Sequence, residues 1–233
     1  MSNKPNTKSR QRPPASATTA RPFWHSPLVW VGALLVLAAA LAIVVTTVVG
    51  DDDVETDAGP AIETASVEII GDTLPPFTTA VDDAAGMPIP IIATATSEGT
   101  RVQILADGTP RLIGLFAHWC SHCQREVPRT VAWLAANELP GDVELVAVST
   151  AVDARLGNYP PSAWLAREGW PLQVLVDDQV GSIATALGMS GFPFWVAVGA
   201  DGTVVARQSG ELTAGEFEAL LDAAATGEAP AFG

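Results

Sequence analysis

Residues 112–128 read LIGLFAHWCSHCQREVP, and they hold both cysteines of the 233-residue chain, Cys120 and Cys123. Leu112 to Ala117 is an apolar run of strand length, His118-Trp119 ends it, and the pattern from Cys120 to Pro128 is helical. The cysteines are therefore expected at a strand-to-helix junction. A helix start presents unpaired N–H groups and the positive end of the helix dipole, which stabilise an anion, so Cys120 is the expected thiolate nucleophile of disulfide exchange. Two intervening residues let both sulfurs meet across one helical turn, so Cys123 can attack a mixed disulfide formed at Cys120 and release the partner.

Other uses of the pair are weaker. A structural disulfide three residues long closes too short a loop to restrict the unfolded chain usefully, and 233 residues can bury a core without one. Structural zinc needs about four ligands. Only Cys120, Cys123, His118 and His122 are local, and His25 lies far upstream.

Charge divides the chain. Lys4, Lys8, Arg10, Arg12 and Arg21 precede Pro27 with no acid among them, whereas all 26 carboxylates follow Gly50 together with seven arginines and no lysine. So acidic a domain repels nucleic acid, which excludes that class of partner. Residues 1–27, rich in Pro, Ser, Thr and Ala, are expected to be a disordered basic tail. Leu28 to Val49 is uncharged, apolar and long enough to cross a bilayer as a helix, with Trp24 and Trp30 at headgroup level. Basic residues before it and Asp51-Asp52-Asp53 after it place the N-terminus in the cytoplasm and the remainder outside. A cleaved signal peptide is the rival, disfavoured by the length of the run and the lack of a small-x-small site. Residues 50–65 read as an acidic tether, 66–226 as the folded domain and 227–233 as a flexible tail.

Phe116 to Cys123, with Pro128 five residues past the second cysteine, resembles the active site of a thioredoxin-fold oxidoreductase. Glu126, three residues past Cys123 and two before Pro128, is similar to the membrane-anchored TlpA-like (ResA/DsbE-type) branch, and the resemblance covers about residues 66–225. It implies an α/β thioredoxin fold, a mixed central sheet flanked by helices, carried behind an N-terminal transmembrane helix. It implies no bound cofactor beyond the redox-active Cys120–Cys123 pair. The implied partners are protein thiols and disulfides, apocytochrome c among the possible substrates, and a membrane redox partner.

The rest of the domain reads in that order. Val67 to Ile70 is a short strand, and four prolines keep 71–90 irregular. Arg101 to Leu105 is a strand that turns through 106–110 into the strand before the cysteines, an N-terminal hairpin similar to the TlpA-like layout. Then come a helix to about Asn137, a buried strand at Val143 to Val148, a helix from Pro160 to Glu168, a strand at Leu172 to Val176, and a short helix ending at Gly188. A hairpin turns at Asp201-Gly202, and Thr213 caps a last helix.

His122 lies between the cysteines, where an imidazolium would favour the Cys120 thiolate and make the disulfide a stronger oxidant, as in motifs of the DsbA and protein disulfide isomerase kind. The TlpA-like frame implies a reductant instead. His118 is expected nearer the surface, as an electrostatic or specificity residue. Glu126 is the expected proton acceptor for Cys123; its plain alternative is a solvated helix carboxylate paired with Arg125 or Arg129. Where thioredoxin has a buried aspartate, six residues before the first cysteine, this chain has Gly114. Pro193 matches the loop proline that thioredoxin-fold enzymes hold cis opposite the cysteines, with Phe192 before it biasing substrates toward apolar segments; Trp119 is implied to shield the Cys120 sulfur. Trp133, Trp164, Trp170 and Trp195 read as packing residues.

Three other functions compete. A peroxidase on the same fold requires a Pro-x-x-x-Thr-x-x-Cys pattern that the residues before Cys120 lack. A copper-delivery protein of the Sco type spaces its cysteines by three residues and adds a distant histidine, and none follows His122 here. An interaction domain with incidental cysteines would bind its partner equally well when Cys120→Ser removes all redox activity.

Overall fold

The computed structural model describes residues 60–78 and 82–230. The tail, the apolar run at Leu28 to Val49 and most of the tether lie outside them. Among the described residues no helix is long and apolar enough to cross a membrane.

Eight strands form one mixed sheet: β1 (Glu68–Ile70), β2 (Ile91–Thr96), β3 (Arg101–Ile104), β4 (Arg111–Phe116), β5 (Glu144–Ser149), β6 (Val174–Val176), β7 (Phe194–Val198) and β8 (Val204–Ser209). Among the described residues three helices connect them, α1 (Ser121–Ala136), α2 (Pro161–Arg167) and α3 (Ser182–Ala186), and a fourth, α4 (Ala214–Thr226), follows β8. The centre is β4, parallel to β5 on one side and antiparallel to β7 on the other. All its residues are buried because both faces are covered. Leu112 and Phe116 face the layer built with α1, α2 and α4, where they meet Cys123, Val127, Trp164, Trp195 and Phe217. Ile113 and Leu115 face the opposite layer with Ile183, Leu187, Leu74 and Phe77. This is the thioredoxin-type α/β arrangement that the cysteine motif implied.

Two expectations need correction. The N-terminal hairpin is not made with the strand before the cysteines: β3 pairs antiparallel with β2, an element the sequence reading did not assign. IIATAT is rich in β-branched residues, and the turn after it has Gly99 at φ +86°, a conformation that favours glycine. Both edges of β4 are already occupied by β5 and β7, so β3 cannot join it. The tether is also shorter than 50–65. The Ile62 N–H donates to Ser97 O at 2.8 Å, and the Ala65 N–H to Asp177 O at 3.2 Å. Glu63 accepts from the Ser162 N–H at 3.1 Å in the first turn of α2. Polar backbone there is paired with the domain, not with solvent.

At the far end, Thr213 and Glu216 form a reciprocal capping box at the start of α4, and Gly227 at φ +74° ends that helix.

Candidate active site

The site sits where β4 ends and α1 begins. Cys120 is the N-cap of α1, with extended backbone at φ −74° and ψ 121°, so it stands just outside the first turn beside that turn's free N–H groups. It is partly exposed, whereas Cys123, one turn on, is fully buried. The two are free thiols within hydrogen-bonding reach of each other. Burial pushes the Cys123 thiol strongly upward, and the charges of Cys120 and Glu126 add to that shift. One sulfur can meet a partner, and the other is held protonated in the core until a base takes its proton.

Glu126 lies on the buried face of α1 with Cys123, Val127 and Thr130. At 2% exposure it is no solvated carboxylate, which corrects half of its plain alternative; the other half stands, because Arg129 pairs with it at 2.9 Å. The Leu212 N–H donates to both carboxylate oxygens, at 3.3 and 3.2 Å. Burial raises the carboxyl above its ordinary value, opposed by the Leu212 N–H and by Arg129. It opens onto a cleft of about 330 Å³ between α1 and α4 that Arg129, Trp133 and Phe217 also line.

Gly114 has no room for an acid. A Cβ there would stand 2.6 Å from Cζ3 of Trp195 and 2.9 Å from Cζ of Phe116. The Trp195 indole, wholly buried and edge-on to Phe116 at 5.3 Å, fills that space beneath β4. Glu126 is thus the carboxylate whose charge reaches Cys123.

Pro193 and Phe192 come from the loop before β7, and the peptide bond between them is cis. Phe192 meets Trp119 edge to face at 5.7 Å. Trp119, 37% exposed, is anchored by its Nε1–H to Ala151 O at 2.8 Å. The pair forms an apolar rim next to Cys120. A second cis bond, Tyr159–Pro160 at the start of α2, carried no distinguishing signal in the sequence.

One histidine departs from expectation. His118 is not near the surface but fully buried. Its Nδ1–H donates to Gly157 O at 2.7 Å, and Nε2 accepts the Asp153 N–H at 3.2 Å, so both ring nitrogens are occupied and the ring locks two loops together. Its own carbonyl accepts from Gln124 at 3.0 Å, tying the loop to α1. His122 is exposed, and its Nδ1 lies 2.6 Å from Glu211 Oε1 and 2.9 Å from an Arg125 nitrogen. That nitrogen can donate to Glu211 or accept from Arg125, but not both. The partners of Nδ1 are therefore these two residues.

Glu211 itself was missed. It accepts from His122, from Arg125 (Nε at 3.0 Å) and from Arg129, and these contacts, Arg125 first, pull its carboxyl down to about 2. The one hint in the sequence was a pair of arginines, Arg125 and Arg129, a helical turn apart on α1, which need an acid from elsewhere.

The family model described as Redoxin matches residues 70–223. Among curated proteins, the thiol:disulfide interchange protein DsbE of Pseudomonas fluorescens biotype C is 27% identical over 149 residues, covering 60% of this chain and 79% of that protein. Among solved structures, a thiol:disulfide interchange protein of the thioredoxin family from Chlorobium tepidum TLS matches with a TM-score of 0.50 at 19% identity, over 61% of this chain and 98% of that one. At that identity the structural likeness is one of fold.

Proposed function

The chain belongs to the redoxin family and is a thiol-disulfide oxidoreductase, and we propose that it works as an extracytoplasmic protein-disulfide reductase cycling Cys120 and Cys123. The observation that carries this reading is the unequal pair at the start of α1: one sulfur at the surface, the other buried beside a buried carboxylate. In the reduced protein, the Cys120 thiolate attacks a substrate disulfide, forming a Cys120–substrate mixed disulfide and expelling the first substrate thiolate, which takes a proton from solvent. Glu126, directly or through one water, takes the Cys123 proton. Cys123 then attacks Cys120 Sγ, and the second substrate thiolate leaves. The substrate gains two electrons and the protein ends as the Cys120–Cys123 disulfide. A membrane dithiol donor must return two electrons for the next turnover.

The Trp119–Phe192 rim supports a role in seating an apolar extended segment of the substrate against Cys120. The contacts of His122 support the reducing direction. A histidine between the cysteines would favour an oxidant if its charge acted on Cys120 alone, but Glu211 and Arg125 engage its ring. Anchoring through Leu28 to Val49 fits the reading, with basic residues on the cytoplasmic side and the domain outside. Sedimentation with membranes after carbonate washing, together with accessibility of the domain to external protease, would support that topology; release by carbonate would refute it.

The decisive test is trapping. Cys123→Ala should accumulate mixed disulfides with substrate proteins, whereas Cys120→Ala should form none. Absence of any adduct in Cys123→Ala would overturn the mechanism. A reduction potential near or below about −250 mV assigns the reductant, and one of about −120 to −180 mV assigns disulfide formation.

A further inference from the structure

Three consecutive residues after β8 touch three parts of the site. The Gly210 N–H donates to Pro193 O at 2.8 Å, the Glu211 carboxylate binds the basic side chains of α1, and the Leu212 N–H donates to buried Glu126. On α1 the three basic groups occupy successive turns on one side: His122, Arg125 and Arg129 all reach Glu211. Arg125 and the Cys120 sulfur interact electrostatically, though the chief partner of Arg125 is Glu211. Arg129 bridges Glu211 to Glu126.

The local charge is unusual for this chain. After Gly50 only seven arginines offset 26 carboxylates. Arg111 and Arg207 are buried in ion pairs within the fold, and Arg155 closes on its near neighbour Asp153. Arg125 interacts electrostatically with the reactive sulfur, while Arg129, further along α1, pairs with Glu126 and Glu211. An uncompensated cation there would stabilise the Cys120 anion in the dithiol form, and stabilising the reduced form makes a disulfide more oxidising.

We propose that Glu211 is a positioning residue that sets the redox poise of the cysteine pair: its carboxylate neutralises Arg125 and engages His122 next to Cys120 while holding Arg129 against Glu126. The inference rests on the exchange reading above. It gives Glu211 two effects on one reaction, keeping cationic charge from the nucleophile and keeping the proton acceptor of Cys123 in place. The groups that interact with Cys120 are Cys123 and Arg125 from α1, with Glu211 acting through Arg125.

The test uses the full-length protein equilibrated in glutathione buffers, comparing wild type with Glu211→Gln, Glu211→Asp and the double variant Glu211→Gln/Arg125→Gln. Glu211→Gln should move the equilibrium about tenfold toward the dithiol, which is about 30 mV more oxidising, and should speed iodoacetamide capture of Cys120 at pH 6. Glu211→Asp, which keeps the charge, should stay near wild type. Removing the Arg125 charge as well should bring the potential most of the way back, an outcome that mere loosening of the loop would not produce. A Glu211→Gln potential that is unchanged or more reducing, or one that Arg125→Gln fails to restore, would overturn the proposal. If Glu211→Gln does not fold, Arg129→Gln, which leaves Arg125 and Glu211 paired, should slow resolution without moving the potential; a shifted potential there would count against it equally. Should wild type show no reversible two-electron couple, the exchange reading fails rather than this inference alone.

Discussion

Glu126 carries the sharpest consequence at the scale of one residue. Its folded carboxyl titrates above the ordinary value of 4.5, chiefly because burial penalises the charge. The folded protein therefore holds a proton that the unfolded chain releases first. That contribution to stability is fully present below 4.5 and is lost as pH rises through the raised folded value. Asp177, buried at the start of α3, is raised for the same reason and adds a fall of the same sign. Glu126→Gln keeps an acceptor for the Leu212 N–H but has no charge to bury. Its urea midpoint relative to wild type should improve steadily from pH 4 to pH 7; a constant difference would show that Glu126 bears no such cost. In kinetics the same variant should release substrate from the mixed disulfide about a hundredfold more slowly, with the first attack by Cys120 largely unchanged. Rapid-quench alkylation separates the two steps, and equal rates of release would remove Glu126 from the proton path.

At the scale of elements, the cysteine helix depends on what lies beneath it. The chain β4–α1 places Cys123 over Leu112, Phe116 and Trp195, so sheet and helix share one aromatic layer. Gly114 is needed there for space, not for a glycine conformation, because its φ is not positive. Gly114→Ala would force the Trp195 and Phe116 rings to move. Overpacking of this kind costs about 1 to 3 kcal/mol, which urea unfolding would report as a lowered midpoint; a change below about 0.5 kcal/mol would mean the rings yield freely. Phe217 of α4 also packs edge to face on Trp195 at 5.4 Å, and α4 leads back through Leu212 to Glu126. The helix that ends the domain is thus part of the support of the site.

At the scale of the whole domain, a buried ion pair ties the irregular N-terminal segment to the sheet. The Arg207 side chain on β8 is fully buried against Asp82, with Nε 3.1 Å from the carboxylate, and it also donates to Pro75 O and Leu187 O, each at 2.9 Å. Asp82→Ala would leave that guanidinium buried without a counter-charge. Breaking a buried pair from one side costs about 3 to 5 kcal/mol, and thermal unfolding would detect it as a large drop in Tm. A loss under about 1 kcal/mol would show that the two carbonyls suffice. Backbone hydrogen bonds also hold this N-terminal segment, from the Leu74 N–H to Ala186 O and the Phe77 N–H to Gly188 O at 2.8 Å and from the Ile89 N–H to Gly202 O at 3.0 Å.

Much of this protein was legible in residues 112–128, because a strand, a helix start and two cysteines one turn apart are local properties of a chain. Local signals also marked the Thr213 cap, the Asp201-Gly202 turn and the apolar strands β4, β5 and β7. What failed was non-local. Pairing of β3 depended on which strand edges were still open, and His118 became buried because Gly157 and Asp153, more than thirty residues on, come to cover it. Glu211 lies more than eighty residues from the arginines it binds, and nothing in composition or spacing joins them. The sequence alone determined the reactive chemistry, the strand-helix frame and the division of charge along the chain. Tertiary structure alone decided which carboxylate is buried beside Cys123 and which acid restrains the cations beside Cys120, because burial and opposite-charge contact arise only when distant segments are brought together.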